Sequence, residues 1–490
     1  MNAILPLLAL LVGAYLSYAA IRASPSKPQY GGILATVFAF VSFFISIWIG
    51  MKVWDGEVVD FTMASSTLQA DALGILLAIV ATGLLSMVSL YSIGYMKDDK
   101  GLENYYPLLL LMVVGIIGIG FSADFFMLFV FFELMAVSSY ALVTFHKHKR
   151  DAAEAGVKYV LLSAAGSAVA LFGISMIYGQ TGTLDIAASV SGLNDNAFSM
   201  LAIMMLIAGF GIKAAIVPLH TWLPDAHSAA PSGISAILSG IVIQAGFIAL
   251  FRCLLAFGDS GISVGILLIG FAIITMTVGN LLAFSQASLK DGDLKRVLAY
   301  SSIAQMGYII LGIGLWMQYG TEMGLQGGLF HIMTHAFMKG LAFLCAGLII
   351  YRLGTRDMSM MKGIGHVMPL TAFCFTIAVL SLAGAPPLSG FMSEWMIFKA
   401  GVDASATIGI WGILITLIAV LNSILSLGYY LPMVKNFFSK PDRKFTDLKA
   451  APKIMMVPIV ILTSVTIILG IWPELGLKVI APILQLLGGA

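Results

Sequence analysis

The sequence predicts an all-α polytopic membrane protein of about fourteen transmembrane helices, and three observations predict it. Hydrophobic residues make up 60% of the 490-residue chain and charged residues 10%, against roughly a quarter charged in soluble domains, so there are too few charges to cover a water-facing surface. Fourteen apolar runs follow one another, each near the ~20 residues that cross hydrocarbon. The loops between them alternate in positive charge.

The runs cover residues 3 to 21, 32 to 54, 72 to 95, 106 to 121, 123 to 145, 157 to 179, 198 to 218, 230 to 252, 262 to 287, 297 to 317, 326 to 351, 369 to 401, 407 to 435 and 454 to 472. The first begins almost at the initiator Met and lacks a basic leader and an A-x-A exit, so it reads as a retained helix. The fourth and fifth are divided only at Ser122-Ala123-Asp124. The short tail from Pro473 is expected to lie along the interface.

Loops after odd-numbered runs hold nineteen Lys and Arg, from Arg22 to Lys453, whereas the opposite loops hold only Lys52, Arg252 and Lys478. Cations are retained in short cytoplasmic loops, so this asymmetry places both termini on the non-cytoplasmic side of the cell membrane. The net charge of +2 argues against nucleic acid as a partner. Cys253, Cys345 and Cys374 are far apart in apolar runs and read as buried small hydrophobes.

Pro218 interrupts the seventh run and Pro386-Pro387 the twelfth. A broken helix is tolerated in hydrocarbon only where protein or a wet cavity satisfies the freed backbone groups. Breaks five runs apart suit paired repeats, and in transporters they point to the ion site. The expected organisation is therefore 1–105 (helices 1–3), 106–255 (first repeat, helices 4–8), 256–435 (second repeat, helices 9–13) and 436–490 (helix 14 and tail).

Glu133, in FFMLFVFFELMAVSSYALV, lies near the middle of the fifth run. A carboxylate there costs at least about 2.5 to 3.5 kcal/mol unless paired or hydrated. Lys213 stands one turn before Pro218 and is its natural partner. Burial disfavours a lysine's charged form and a nearby carboxylate restores it, so a pair that opens and closes transfers protons. A permanent ion pair holding two helices together is the structural alternative. His331, His335 and Lys339 recur at i, i+4 and i+8 on one helix face, and histidine titrates near neutrality. Packed, hydrogen-bonded histidines are the alternative there. Zinc is disfavoured, because the HExxH glutamate and a third ligand are missing and a lysine continues the row.

Beyond the second break, Glu394 is the deeper acid and the candidate terminal site, while Lys399, five residues on, is either a further candidate for the path or snorkels to the boundary. In KDGDLKRVLAYSS, the charges Lys290, Asp291, Asp293 and Lys295 read as a solvated helix start. No nucleotide, haem or iron–sulfur motif is visible, so no cofactor is expected and a partner or an opposing gradient must drive any transport.

With these residues in place, the chain resembles the antiporter-like family shared by Mrp cation/proton antiporters, the large membrane subunits of respiratory complex I, and membrane-bound hydrogenases and related ferredoxin-linked complexes. The resemblance spans about residues 70 to 435 and rests on SADFFMLFVFFELM, GIKAAIVPLHTWLPDAHSAAPSGISA, DLKRVLAYSSIAQMGYI, HIMTHAFMKGLAFL and GAPPLSGFMSEW, in that order. It implies a fourteen-helix core with two inverted five-helix repeats and a hydrophilic axis along the membrane plane. Glu133 and Lys213 match the family's charged pair, His331 and His335 its central histidines, Lys339 a position often held by lysine, and Glu394 its terminal ionisable position. Many relatives carry a lysine where this chain has Gln244, which hydrogen-bonds but carries no proton; the central link either runs through His331, His335 and water or is broken there, and it is expected to be intact.

The function so implied is proton translocation as one membrane subunit of a redox-driven respiratory complex, with H⁺ and Na⁺ both open as the ion. The alternatives are the large subunit of an Mrp-type Na⁺/H⁺ antiporter and a structural subunit that does not pump.

Overall fold

Polar caps and glycines end the apolar runs where the sequence places them. The computed structural model describes residues 2–63, 66–258, 260–441, 445, 448 and 450–487; Arg443, Lys444 and Lys449, counted among the loop cations, lie outside these. Helices α1 (Leu5–Ala23) and α2 (Gln29–Trp54) are followed by a small antiparallel hairpin, β1 (Asp60–Met63) and β2 (Ser66–Gln69), which the apolar pattern does not reveal. Then come α3 (Ala72–Tyr95), α4 (Leu102–Phe121) and α5 (Phe125–Val143). Asp71 caps α3 by accepting from Gly74 N, and Asp124 caps α5 by accepting from Met127 N, so the Ser122-Ala123-Asp124 division is a true helix boundary.

The chain continues through α6 (Arg150–Thr181), the single turn α7 (Ile186–Ser189), α8 (Ala197–Lys213), α9 (Leu223–Ala229), α10 (Ser232–Ile237) and α11 (Ile243–Leu255). It ends with α12 (Val264–Ser288), α13 (Leu294–Tyr319), α14 (Glu322–Leu353), α15 (Pro369–Leu382), α16 (Ser389–Ile408), α17 (Ile410–Phe438), α18 (Met456–Ile471) and the tail helix α19 (Glu474–Leu487). Among the described residues, twelve helices are long and apolar enough to cross a membrane, or thirteen if the bent pair Met358–His366 and Pro369–Leu382 is one span. The chain is thus a multi-pass membrane protein. The seventh and twelfth runs fall short as single helices because their prolines divide them, leaving 17 residues in α8 and 14 in α15.

The span made by α10 and α11, together with α13 and α14, is almost wholly buried, whereas α1, α2 and α17 show much of their surface. The tail helix α19 buries Ile480 and Ile483 and exposes Leu475 and Leu486, the two-faced pattern of a helix lying at an interface. Small residues let helices approach: a Cβ on Gly209 of α8 would meet Ala170 N of α6 at 2.5 Å, and one on Gly166 of α6 would meet Gly209 O at 2.9 Å.

Both breaks are internally satisfied. In the first, Trp222 Nε1 donates to Ile212 O at 2.7 Å and Val217 N donates to Thr275 Oγ1 at 3.1 Å. In the second, Gln305 Nε2 donates to Leu382 O at 3.0 Å and Gly390 N to Ser381 Oγ at 3.1 Å. These bonds are what allow irregular backbone among apolar helices. The span following the first break contains a π turn over Leu238–Val242, directly before Gln244; such turns are frequent at functional sites.

Candidate functional site

Lys213 closes α8, and its ammonium faces α5 and α6 rather than a carboxylate. Its Nζ donates to Tyr159 OH at 2.8 Å, Ser139 Oγ at 3.2 Å and Ser163 Oγ at 3.4 Å. Three hydrogens thus meet three neutral oxygens. The Tyr159 and Trp222 rings stack in parallel at 4.0 Å, with Nζ 4.3 Å from the Tyr159 centroid and 5.9 Å from that of Trp222. Aromatic faces and the carbonyl end of α8 both favour a cation there.

Glu133 does not pair with it directly; among the described residues no ion pair within 4 Å joins the two. Ser167 of α6 instead donates a short hydrogen bond to Glu133 Oε1. Mid-run position suggests deep burial, yet Glu133 is only half-buried, on the outer face of α5 with exposed Phe126, Val130 and Val137. Periodicity explains this: residues 126, 130, 133 and 137 share one helix stripe.

His331, His335 and Lys339 line one face of α14 and are all fully buried. Gln305 gives its amide N–H to Leu382 O, so its Oε1 accepts from His331 Nε2 at 2.8 Å, and His331 Nδ1 accepts from Ser393 Oγ at 2.8 Å. Gln244 Nε2 donates to His335 Nδ1 at 2.7 Å. That assigns the His335 proton to Nε2, a buried atom without a protein partner among the described residues. The two rings lie 5.9 Å apart. Gln244 therefore joins α11 to the histidine row. Lys339 Nζ donates to Leu298 O at 2.9 Å and to Ser301 Oγ of α13.

Glu394 is buried beneath the second break. Its Oε2 accepts from Ser423 Oγ at 2.8 Å, and its Oε1 is buried without a protein partner among the described residues. Gly384, at φ +68°, leaves no room for a Cβ beside this carboxylate, so both its backbone conformation and the close approach require glycine.

Two expectations are corrected. Lys399 is a surface residue held by Asp403 one turn on, at 2.7 Å, and takes no part in the buried network; the helix carries it away from the face of Glu394. Lys295 is not solvated. It is buried, donating to Ala230 O at 2.5 Å, because Asp293 caps α13 and accepts from Ser228 Oγ at 2.5 Å, turning the helix start inward. Unforeseen polar partners are Ser139, Tyr159, Ser163, Ser167, Gln305, Ser393 and Ser423. Only the Y-x₃-S-x₃-S spacing of 159, 163 and 167 signals any of them in the sequence.

The family model for NADH:quinone oxidoreductase/Mrp antiporter transmembrane regions matches residues 122–422, and that for the N-terminus of chain 5 of NADH-ubiquinone oxidoreductase (complex I) matches residues 59–106. The chain is 33% identical over 482 residues to F(420)H(2) dehydrogenase subunit N of Methanosarcina mazei, covering 96% of this chain and 93% of that one. It is 32% identical to a Na(+)/H(+) antiporter protein of Alkalihalophilus pseudofirmus over 86% of this chain but 54% of that one. One chain of the membrane-bound sulfane sulfur reductase, an archaeal respiratory membrane complex, superposes with a TM-score of 0.87 at 27% identity, covering 98% of this chain and 96% of that one.

Proposed function

Because the chain belongs to the NADH:quinone oxidoreductase/Mrp antiporter family, we propose that it is the proton-translocating, antiporter-like membrane subunit of a redox-driven respiratory complex. The observation that carries this reading is the file of polar groups, all buried except half-buried Glu133, that crosses the bundle. It runs from Glu133 and Lys213 through Gln244, His335, His331 and Gln305 toward Glu394 at the second break. Structural ion pairs would be matched and closed. Here Lys213, Lys339 and Glu394 are each held by neutral groups, an arrangement in which a proton can be gained or lost without breaking a bridge.

The redox branch is favoured because the chain is 33% identical to a dehydrogenase subunit along nearly all of that relative's length. The driving reaction belongs to partner subunits. One of them is proposed to cover Glu133, since a carboxylate on an exposed apolar stripe is costly against lipid. The two repeats, 106–255 and 256–435, would each supply one broken helix to the file, and the loop cations support both termini lying on the non-cytoplasmic side.

The test is Glu133→Gln and Lys213→Ala in complexes that still assemble. Ion pumping should be lost while electron transfer persists, and full pumping in both variants overturns the proposal.

A further inference from the structure

Between Lys213 and Glu133 stands a column of hydroxyls on one face of α6, and we propose that it is the route by which a proton passes between them, in place of direct pairing. This rests on the translocation reading above. Tyr159, Ser163 and Ser167 sit at i, i+4 and i+8 on that helix, one stripe with steps of about 6 Å. One end of the stripe touches Lys213, through Tyr159 OH at 2.8 Å and Ser163 Oγ at 3.4 Å. The other end touches Glu133, to which Ser167 donates. All three side chains are buried.

The rotamers are informative. Further along the same helix, Ser175 and Thr181 donate back to Phe172 O and Ile177 O, the usual habit of a hydroxyl in an apolar helix. Ser163 and Ser167 turn instead to the two ionisable groups. Gly166 lies between them in sequence and packs against the backbone of Gly209, which presses this part of α6 onto α8 and brings Lys213 within reach. A direct Glu133 to Lys213 bridge would require the ammonium to leave three acceptors and its aromatic cage.

The step between Ser163 and Ser167 exceeds one hydrogen bond, so the route includes one bridging water. A Lys213 N–H bond breaks as a proton joins Ser163 Oγ. The original Ser163 proton passes to the water, a water proton to Ser167, and the original Ser167 proton to Glu133 Oε1. The ammonium becomes an amine and the carboxylate an acid, while each hydroxyl and the water end with the number of protons they began with. No electron moves.

The test uses the intact complex in inverted membrane vesicles, with reduced methyl viologen as electron donor, reading dye-reported proton uptake against viologen oxidation. Ser163→Ala and Ser167→Ala each remove one oxygen and raise helix propensity. Uptake per turnover should fall about tenfold or more in each, with viologen oxidation retained, and Ser163→Thr, which keeps a hydroxyl, should restore uptake. Should an alanine complex fail to co-purify, cysteine at the same position, a much weaker donor of nearly the same size, is expected to show the same fall. Wild-type uptake in both serine variants, with Glu133→Gln and Lys213→Ala inactive, overturns the column and leaves the translocation reading standing. Wild-type uptake in Glu133→Gln and Lys213→Ala overturns both.

Discussion

At the scale of single residues, what distinguishes the buried groups is the neutrality of their partners. Gln244 shows why this matters: it carries no proton, yet its amide is the hydrogen-bond link between α11 and His335. Gln244→Ala should lower pumping about tenfold in an assembled complex. Gln244→Lys should leave it near wild type, since an ammonium still donates to His335 Nδ1; a marked gain with lysine, or no loss with alanine, would show that the link lies elsewhere. Lys399 gives the opposite case. Its pair with Asp403 is an exposed i, i+4 bridge, a kind that contributes no more than about 0.5 kcal/mol, so Lys399→Ala should leave pumping and thermal inactivation unchanged.

At the scale of elements, the function depends on how closely helices approach. Lys213 reaches the α6 hydroxyls only because Gly209 lies against Ala170 with no room for a side chain. Gly209→Val should force α6 and α8 apart, costing about 1–3 kcal/mol from overpacking alone, and abolish pumping. Gly179, near the end of α6, has nothing within 4 Å of a Cβ, so Gly179→Val should pump normally; the pair of variants, compared by vesicle pumping and thermal inactivation, separates contact from propensity. The breaks at Pro218 and Pro386-Pro387 were legible in the sequence, because proline cannot continue a helix. The groups that satisfy them were not: Thr275 and Gln305 come from α12 and α13, far along the chain.

At the scale of the whole molecule, orientation is the testable property. Glu57 and Lys147 are both exposed and lie in loops of opposite expected sidedness, and the native cysteines are buried. In intact cells a membrane-impermeant maleimide should label Glu57→Cys directly and Lys147→Cys only after permeabilisation. The reverse pattern would invert the topology.

The sequence by itself determined the membrane class, nearly every helix, both breaks, and the burial of Lys213, His331, His335, Lys339 and Glu394. These follow from local quantities: run length, proline chemistry, and the cost of a charge in hydrocarbon. Only the tertiary structure decided that Lys213 answers to Tyr159 and two serines rather than to Glu133, that Lys295 turns inward while Lys399 stays on the surface, and that Glu133 lies on an outer face. The physical reason is direction. Depth in a membrane is written along the chain, whereas which neighbour a side chain meets depends on helix rotation and on how closely backbones approach, both set by contacts between residues tens or hundreds of positions apart.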